Sequence, residues 1–252
     1  MGLQSDLAKL FGSFRENGIL ATTEAVWTSM RVRAQVRQDL RFDAGHGVDT
    51  GGAKKLSEFT IESENREYGL EYEPTPVPLC RWLLRRLPEV EDFVFVDFGS
   101  GKGRMLLIAS EYPFRRIVGV EFAAELHEAA VRNIENFRSP RQRCKNLEAL
   151  SMDAAVFPIP DEKCVFYFYV PFRPPLMNKV LERIGDSYRA NPRKMYILFA
   201  KPWFGIRGIF DELQWLKSVS IRKPWWMSLT PDPMEVLMYE TRDQEATGQR
   251  AS

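Results

Sequence analysis

The stretch Val94-Phe95-Val96-Asp97-Phe98-Gly99-Ser100-Gly101-Lys102-Gly103 decides how this chain folds. A short apolar run broken only by an acid leads into three glycines at every second position, and MLLIASEY then carries helical spacing. A continuously apolar run bounded by turn residues predicts a strand buried on both faces. The first glycine permits a tight turn, and the others let a ligand approach the backbone. The start of the following helix offers free N–H groups.

The same alternation continues outward. IVGVEF predicts a second strand and AAELHEAAVRNIENF a long helix. A weaker strand is expected at Asn146 to Leu150. CVFYFYVPF is a third clear strand, LMNKVLERIGDSY a helix and KMYILFAKP a further strand. Apolar strands alternating with amphipathic helices predict a parallel sheet covered on both faces. LQWLKSVSIR and PMEVLMYETR then read as two strands with no helix between them, joined by RKPWWMSLTPDP. They predict an antiparallel hairpin at one edge. The fold class is therefore α/β, a Rossmann-like seven-stranded mixed sheet.

Ahead of the sheet, helical periodicity covers residues 3–15 (Leu3, Leu7, Leu10, Phe11, Phe14) and 23–40 (Val26, Met30, Val32, Val36). Arg31, Arg33, Arg37 and Arg41 read as a solvated face. FDAGHGVDTGGA, residues 42–53, reads as a loop. GLEYEPTPVP holds three prolines and leads into the helix PLCRWLLRRL. The division expected is a helical extension or lid over residues 1–68, a sheet domain over 69–242 and a disordered tail over 243–252.

Composition fits this reading. The chain has 252 residues, 35 Lys and Arg against 34 Asp and Glu, 44% hydrophobic and 27% charged residues. That excludes collagen-like, coiled-coil and wholly disordered classes, and the length suffices for a substantial core. Balanced charge argues against a dedicated nucleic-acid binder. Cys80, Cys144 and Cys164 form no CxxC and read as reduced thiols near the core, with no metal site expected. The N-terminus has no basic region followed by an apolar run, and Asp6 departs from the myristoylation pattern after Met1-Gly2. No apolar run approaches about 18 residues, so no membrane span is expected, and the cytoplasm is the default location.

Three nucleotide readings compete at the glycines. A dinucleotide fingerprint, G-x-G-x-x-G, places Arg104 where its last glycine belongs, and a P-loop fails because Gly103 follows Lys102. D-x-G-x-G-x-G remains. An acid ahead of the glycines suits a ligand with an ammonium group, which points to S-adenosylmethionine (SAM). Glu121 ends the next strand 18 residues after Gly103, where an acid can accept both ribose hydroxyls. Asp153, in Ser151-Met152-Asp153-Ala154, could accept from an adenine amino group.

The span from Tyr72 to about Pro202 resembles a class I SAM-dependent methyltransferase: VDFGSGKGR resembles the first motif of that family, VGVEF its second and MDA its third. FDxxxGVDT, YEPTP and VGVEFxxELHxxA further resemble a group of bacterial methyltransferases. The YEPTP-to-first-motif portion is similar to lysine methyltransferases of mitochondrial carrier and ATP synthase subunits. The resemblance implies that Asp97 and the backbone of Gly99, Gly101 and Gly103 hold the methionine end. It implies that Glu121 binds the ribose, that Phe122 packs on the adenine, and that Asp153 and Ala154 read its edge. Tyr72 and Thr75 would close over the methionine carboxylate. Lys102 and Arg104 are expected to face solvent or pair with acids.

The acceptor side is expected at Tyr169-Val170-Pro171-Phe172. Many amino-group methyltransferases carry Asn or Asp, Pro, Pro and an aromatic there, and Val170 removes the amide that orients a planar amine. Phe172 could flank the acceptor. His46, Asp49 and Tyr169 are candidate bases, and His127 reads as a surface or helix-packing residue. Trp203, Phe204, Trp225 and Trp226 could form an aromatic pocket or cover the sheet edge. The expected reaction is methyl transfer to an N or O nucleophile of a small-molecule or peptide-like acceptor. Three alternatives stand beside it: a protein-lysine methyltransferase, an RNA methyltransferase using Arg138, Arg141, Arg143 and Lys145, and a catalytically silent SAM-binding scaffold.

Overall fold

The computed structural model describes residues 33–34, 36–169, 171–202, 206–222, 224 and 235–242. The periodic segment 3–15, most of 23–40, the four loop aromatics Trp203, Phe204, Trp225 and Trp226, and the tail 243–252 lie outside the described residues.

Among the described residues, seven strands form one mixed sheet: β1 (Phe93–Phe98), β2 (Arg116–Glu121), β3 (Leu147–Ser151), β4 (Lys163–Tyr169), β5 (Met195–Ala200), β6 (Leu216–Ser218) and β7 (Val236–Thr241). Their spatial order is β3-β2-β1-β4-β5-β7-β6. The first five pair in parallel. β7 runs antiparallel to β5 on one side and to β6 on the other. The order reverses between β1 and β4, and the carboxyl ends of strands at such a switch point form the crevice where α/β sheets bind ligands.

The central strands are apolar along their whole length because both faces are covered. Phe95, Val165, Tyr167 and Leu198 enter one core with Leu83 and Met105 through Ala109. Val94, Val96, Phe98, Phe166, Phe168 and Phe199 enter the other with Leu176, Val180 and Ile184. Side chains alternate across a strand, so neighbouring apolar residues serve opposite cores. On the second face Phe98 stacks on Phe168 at 5.2 Å and Phe168 on Phe199 at 5.8 Å. The strand aromatics are thus core residues. Cys80, Cys144 and Cys164 are buried and unpaired with one another.

The helices are α1 (residues 36–46), α2 (Val77–Leu84), α3 (Arg104–Ala109), α4 (Ala124–Asn136), α5 (Pro174–Ala190) and α6 (Ile206–Asp211). Two local expectations need correction. Residues 42–46 are helical rather than loop: Phe42 reaches the core, and the helix stops at Gly47, whose φ is 68°. The strand expected over LQWLKSVSIR is only three residues long, β6, and ahead of it a short helix, α6, on a segment given no expectation, separates β5 from β6. Ile206 and Phe210 anchor α6 in the second core, a spacing too brief to stand out as a helical period.

Arg104, the first residue of α3, ties α1 to the sheet. Its side chain is 2% exposed. Nη1 lies 2.9 Å from Asp39 Oδ2 and also donates to the Thr75 carbonyl, and Nε donates to Thr50 Oγ1 at 2.7 Å. Asp43 lies 3.9 Å from Nη2 and accepts from both the N–H and the hydroxyl of Thr50. Burial raises the pKa of Asp39, and the Arg104 charge pulls against it. Removing one partner of a buried pair leaves an uncompensated charge, at about 3–5 kcal/mol. Arg104→Met should therefore lower unfolding free energy by about that amount in urea titration; an unchanged midpoint would refute the docking role.

Candidate active site

The carboxyl ends of β1, β2 and β4 open into a cleft with two adjoining halves. One is lined by Tyr72, Glu73, Thr75, Asp97, Arg104 and Tyr169. The other is lined by Tyr72, Gly99, Glu121, Phe122, Pro171 and Phe172.

The glycine turn builds the floor. Gly99 and Gly101 have φ of 75° and 54°, where a side chain is strained. A Cβ on Gly101 would stand 2.2 Å from the Tyr72 ring, and one on Gly99 would stand 2.7 Å from Pro171. The turn is held from below. The Asn133 amide donates to the Lys102 carbonyl and the Asp49 carbonyl and accepts from the Asp49 N–H.

Asp97 sits where β1 gives way to that turn, 3% exposed. Among the described residues, nothing donates a hydrogen bond to its carboxylate. Burial, then the neighbouring Glu121 charge, push its pKa well above the ordinary aspartate value. Glu121 is also buried. Its Oε2 accepts from the Gly101 N–H at 2.8 Å and its Oε1 from the Ala123 N–H at 2.9 Å. Burial raises its pKa and these backbone donors partly offset that. A carboxylate has about four lone-pair sites, so Glu121 keeps acceptor capacity toward the cleft.

Asp153 is more heavily committed. Oδ2 accepts from the Ser63 hydroxyl and from Asn65 Nδ2, and Oδ1 accepts from the Ala155 N–H. Burial opposes ionisation of Asp153, but the hydrogen bonds from Asn65, Ser63 and Ala155 outweigh it and set its pKa below the usual value. Ala154 is buried beneath, in the second core. Phe122 packs with Leu56, Phe59 and Tyr72, and a Cβ on Gly69 would meet its ring at 2.6 Å. Residues 56–72 therefore lie over this half of the cleft.

Tyr72 and Thr75 both line the cleft. The Tyr72 hydroxyl donates to the Thr50 carbonyl at 2.9 Å, and burial raises its pKa. The Thr75 hydroxyl is 2.9 Å from that of Tyr167. Tyr169 and Phe172 line it from the β4 side.

His46 and Asp49 are not brought into the cleft. His46 ends α1, stacked 5.0 Å from Phe137, with Nδ1 2.8 Å from the Phe42 carbonyl. Asp49 is 81% exposed and pairs with Lys102 Nζ at 3.0 Å. The segment that follows α1 is pinned by Asn133, through the Asp49 backbone, and by Arg104, through Thr50. Lys102 and Arg104 do pair with acids. Arg141 and Arg143, in the α4–β3 connection at the opposite end of the sheet, face Glu111 and Glu91.

One cleft residue, Glu73, had no role expected from the sequence, and Arg104 adds a feature to its expected pairing with acids. Glu73 accepts from the Tyr169 hydroxyl at 3.2 Å and from Lys201 Nζ at 2.5 Å. Its signal was an acid between Tyr72 and Pro74. Arg104 carries a buried Nη2 with no hydrogen-bond acceptor among the described residues.

No protein-family model and no curated protein matches the chain. Among solved structures it is similar to an RNA methyltransferase from Salinibacter ruber in complex with S-adenosyl-L-homocysteine, at 19% identity, covering 68% of this chain and 95% of that one, with a TM-score of 0.46. It is also similar to a ribosomal protein L11 methylase from Lactobacillus delbrueckii subsp. bulgaricus (10% identity, 66% and 77% covered, TM-score 0.46). A third is an rRNA methylase from Streptococcus thermophilus (11%, 68% and 99%, TM-score 0.43). Likenesses this distant say nothing of this chain's cofactor or acceptor. Among the described residues, no cluster could hold a metal ion and no helix is long and apolar enough to cross a membrane.

The raised pKa of Asp97 makes a stability prediction. A carboxyl group that holds its proton more tightly when folded stabilises the fold below its ordinary value near 4. That contribution is lost as pH rises through the raised value. Asp97→Asn should therefore be more stable than the parent at neutral pH, with the difference shrinking as pH falls toward about 4.5. Taking the difference between parent and variant cancels Asp153 and Glu240, which act in the other direction. Urea midpoints across that range check it, and a pH-independent difference would contradict it.

Proposed function

We propose that the chain is a SAM-dependent methyltransferase that carries a methyl group to an N or O nucleophile of a small-molecule or peptide-like acceptor. The observation that carries this is Asp97: a buried carboxylate with no donor among the described residues, set at the edge of a glycine turn. A buried charge without a partner is costly, and a ligand ammonium supplies the missing partner. Glu121 beside it makes the turn hostile to a pyrophosphate, which argues against a nucleotide held by its phosphates.

The remaining residues fit the rest of such a ligand. Glu121 has spare acceptor capacity for ribose hydroxyls, and Phe122 offers an aromatic face. Asp153 Oδ1 keeps one lone pair for an amino group, beside Ala154. Tyr72, Thr75 and the spare Nη2 donor of Arg104 suit a carboxylate. The cofactor supplies an activated methyl group on a sulfonium, whose transfer is an in-line displacement. The protein then has to hold the acceptor lone pair in line and exclude water. Tyr169, Pro171 and Phe172 wall the side from which an acceptor approaches.

Calorimetric titration with SAM and with S-adenosylhomocysteine tests the reading. Both should bind. Asp97→Asn should weaken both by about 1.5–3 kcal/mol, the range for a charge-assisted hydrogen bond, while remaining folded. Folded parent protein that binds neither, or an Asp97→Asn variant that binds as well as the parent, would sink the assignment.

A further inference from the structure

We propose that Glu73 and Tyr169 form the acceptor subsite of this cleft, that it takes a cationic alkylamine, and that Lys201 of the same chain holds it in the absence of acceptor. The proposal rests on the methyl-transfer reading above and names its substrate class.

Glu73 and Tyr169 line both halves of the cleft, so the pair stands where the two halves meet. The Tyr169 hydroxyl donates to one carboxylate oxygen of Glu73, and Lys201 Nζ lies 2.5 Å from the other. Burial and the Glu73 charge both keep the phenol protonated, so it acts as a donor that fixes the carboxylate. An anionic carboxylate held by a neutral phenol at the mouth of an apolar wall recognises an ammonium, and an ammonium is what it holds here.

Lys201 reaches the site at a conformational cost. Among the described residues it is the one non-glycine with positive φ, at 53°. It follows directly on β5, and its N–H donates to the Glu235 carbonyl at 2.8 Å, which fixes the turn. A half-exposed ion pair contributes little by itself. Such a contact is readily exchanged for an incoming ammonium that also buries its alkyl chain against Pro171 and Phe172.

Glu73, from the segment ahead of α2, supplies a carboxylate where the two halves of the cleft meet, and a carboxylate suits a tetrahedral ammonium. For transfer, the ammonium gives its proton to Glu73 or to water. The freed nitrogen lone pair forms the N–C bond while the C–S bond breaks and its electron pair passes to sulfur.

The test is a chemical-shift titration of the full chain, saturated with S-adenosylhomocysteine, using n-butylammonium and its neutral counterpart n-butanol. Butylammonium should perturb the cleft and bind up to about fivefold tighter to Lys201→Gly, the gain expected from removing a competing half-exposed ion pair, with glycine accepting the positive φ without strain. Glu73→Gln should abolish the preference for the amine. Equal binding of amine and alcohol, or no gain in Lys201→Gly, would overturn the proposal. S-adenosylhomocysteine titrated into each variant separates the two levels. Retained binding without amine preference refutes the subsite alone. Absent binding in the parent refutes the cofactor reading, and the amine titration still reads the subsite directly.

Discussion

The cleft depends on one buried guanidinium. Arg104 is the first helical residue after the glycine turn, and its donors reach three separate pieces of chain: Asp39 on α1, Thr50 in the loop that follows, and the Thr75 carbonyl just before α2. Each piece would be weakly fixed by itself. α1 exposes Val36 and Leu40, and the 47–55 loop is rich in glycine. A planar, always-charged fork serves all three at once, where a lysine ammonium would not match the geometry. Because Arg104 also begins α3, any shift of the 39–75 region is felt at the glycine turn. The turn's conformation and the placement of the 39–75 region are therefore one structural problem.

The cleft floor concentrates unfavourable electrostatics. Asp97 and Glu121 are both buried and both have raised pKa values, each by burial first. Glu121 is partly compensated by backbone N–H groups and Asp97 by none among the described residues. Stability has been given up locally, and the surrounding aromatic cores on the two faces of the sheet carry the cost. Such an arrangement is explained if a cation belongs beside Asp97. The same logic separates Asp153, whose three donors satisfy it in the unliganded protein. Asp153 fastens residues 63–65 to the sheet, and Lys179 on α5 extends the fastening through Asn65.

The sheet was legible because burial on both faces writes itself as unbroken apolar runs. The glycine turn was legible because positive φ and close contact leave few residue choices at Gly99 and Gly101. What was not legible is contact between segments far apart in sequence. Arg104 has the same sequence appearance whether it meets solvent or Asp39, 65 positions away. His46 and Asp49 read as candidate bases because a Gly-rich segment carries no mark of what pins it. Asn133, which pins it, reads as an ordinary polar residue of an amphipathic helix. α6 was hidden by its brevity: Ile206 and Phe210 suffice to anchor one and a half turns but not to declare a period.

The segment from Lys54 to Thr75 sets which side chains face the cleft, and it does so by register. Lys54 and Tyr72 exchange backbone hydrogen bonds at 3.0 and 2.9 Å, and Gly69 bridges to Phe172. Extended backbone sends neighbouring side chains to opposite sides. Tyr72 accordingly turns onto Gly101 while Glu73 turns to Tyr169 and Lys201. A slip of one residue would exchange the two, placing a carboxylate on the glycine turn beside Asp97 and Glu121 and a ring at the mouth. Three carboxylates in one buried pocket would repel, so the electrostatics of the floor enforce the register that the two bridges define. Pro74 and Pro76 stiffen the chain beyond it, and α2 begins at Val77. The division of the cleft into a buried floor that holds Asp97 and Glu121 and a more exposed mouth that holds Glu73 thus follows from the alternation of two adjacent residues, held in phase by two short bridges.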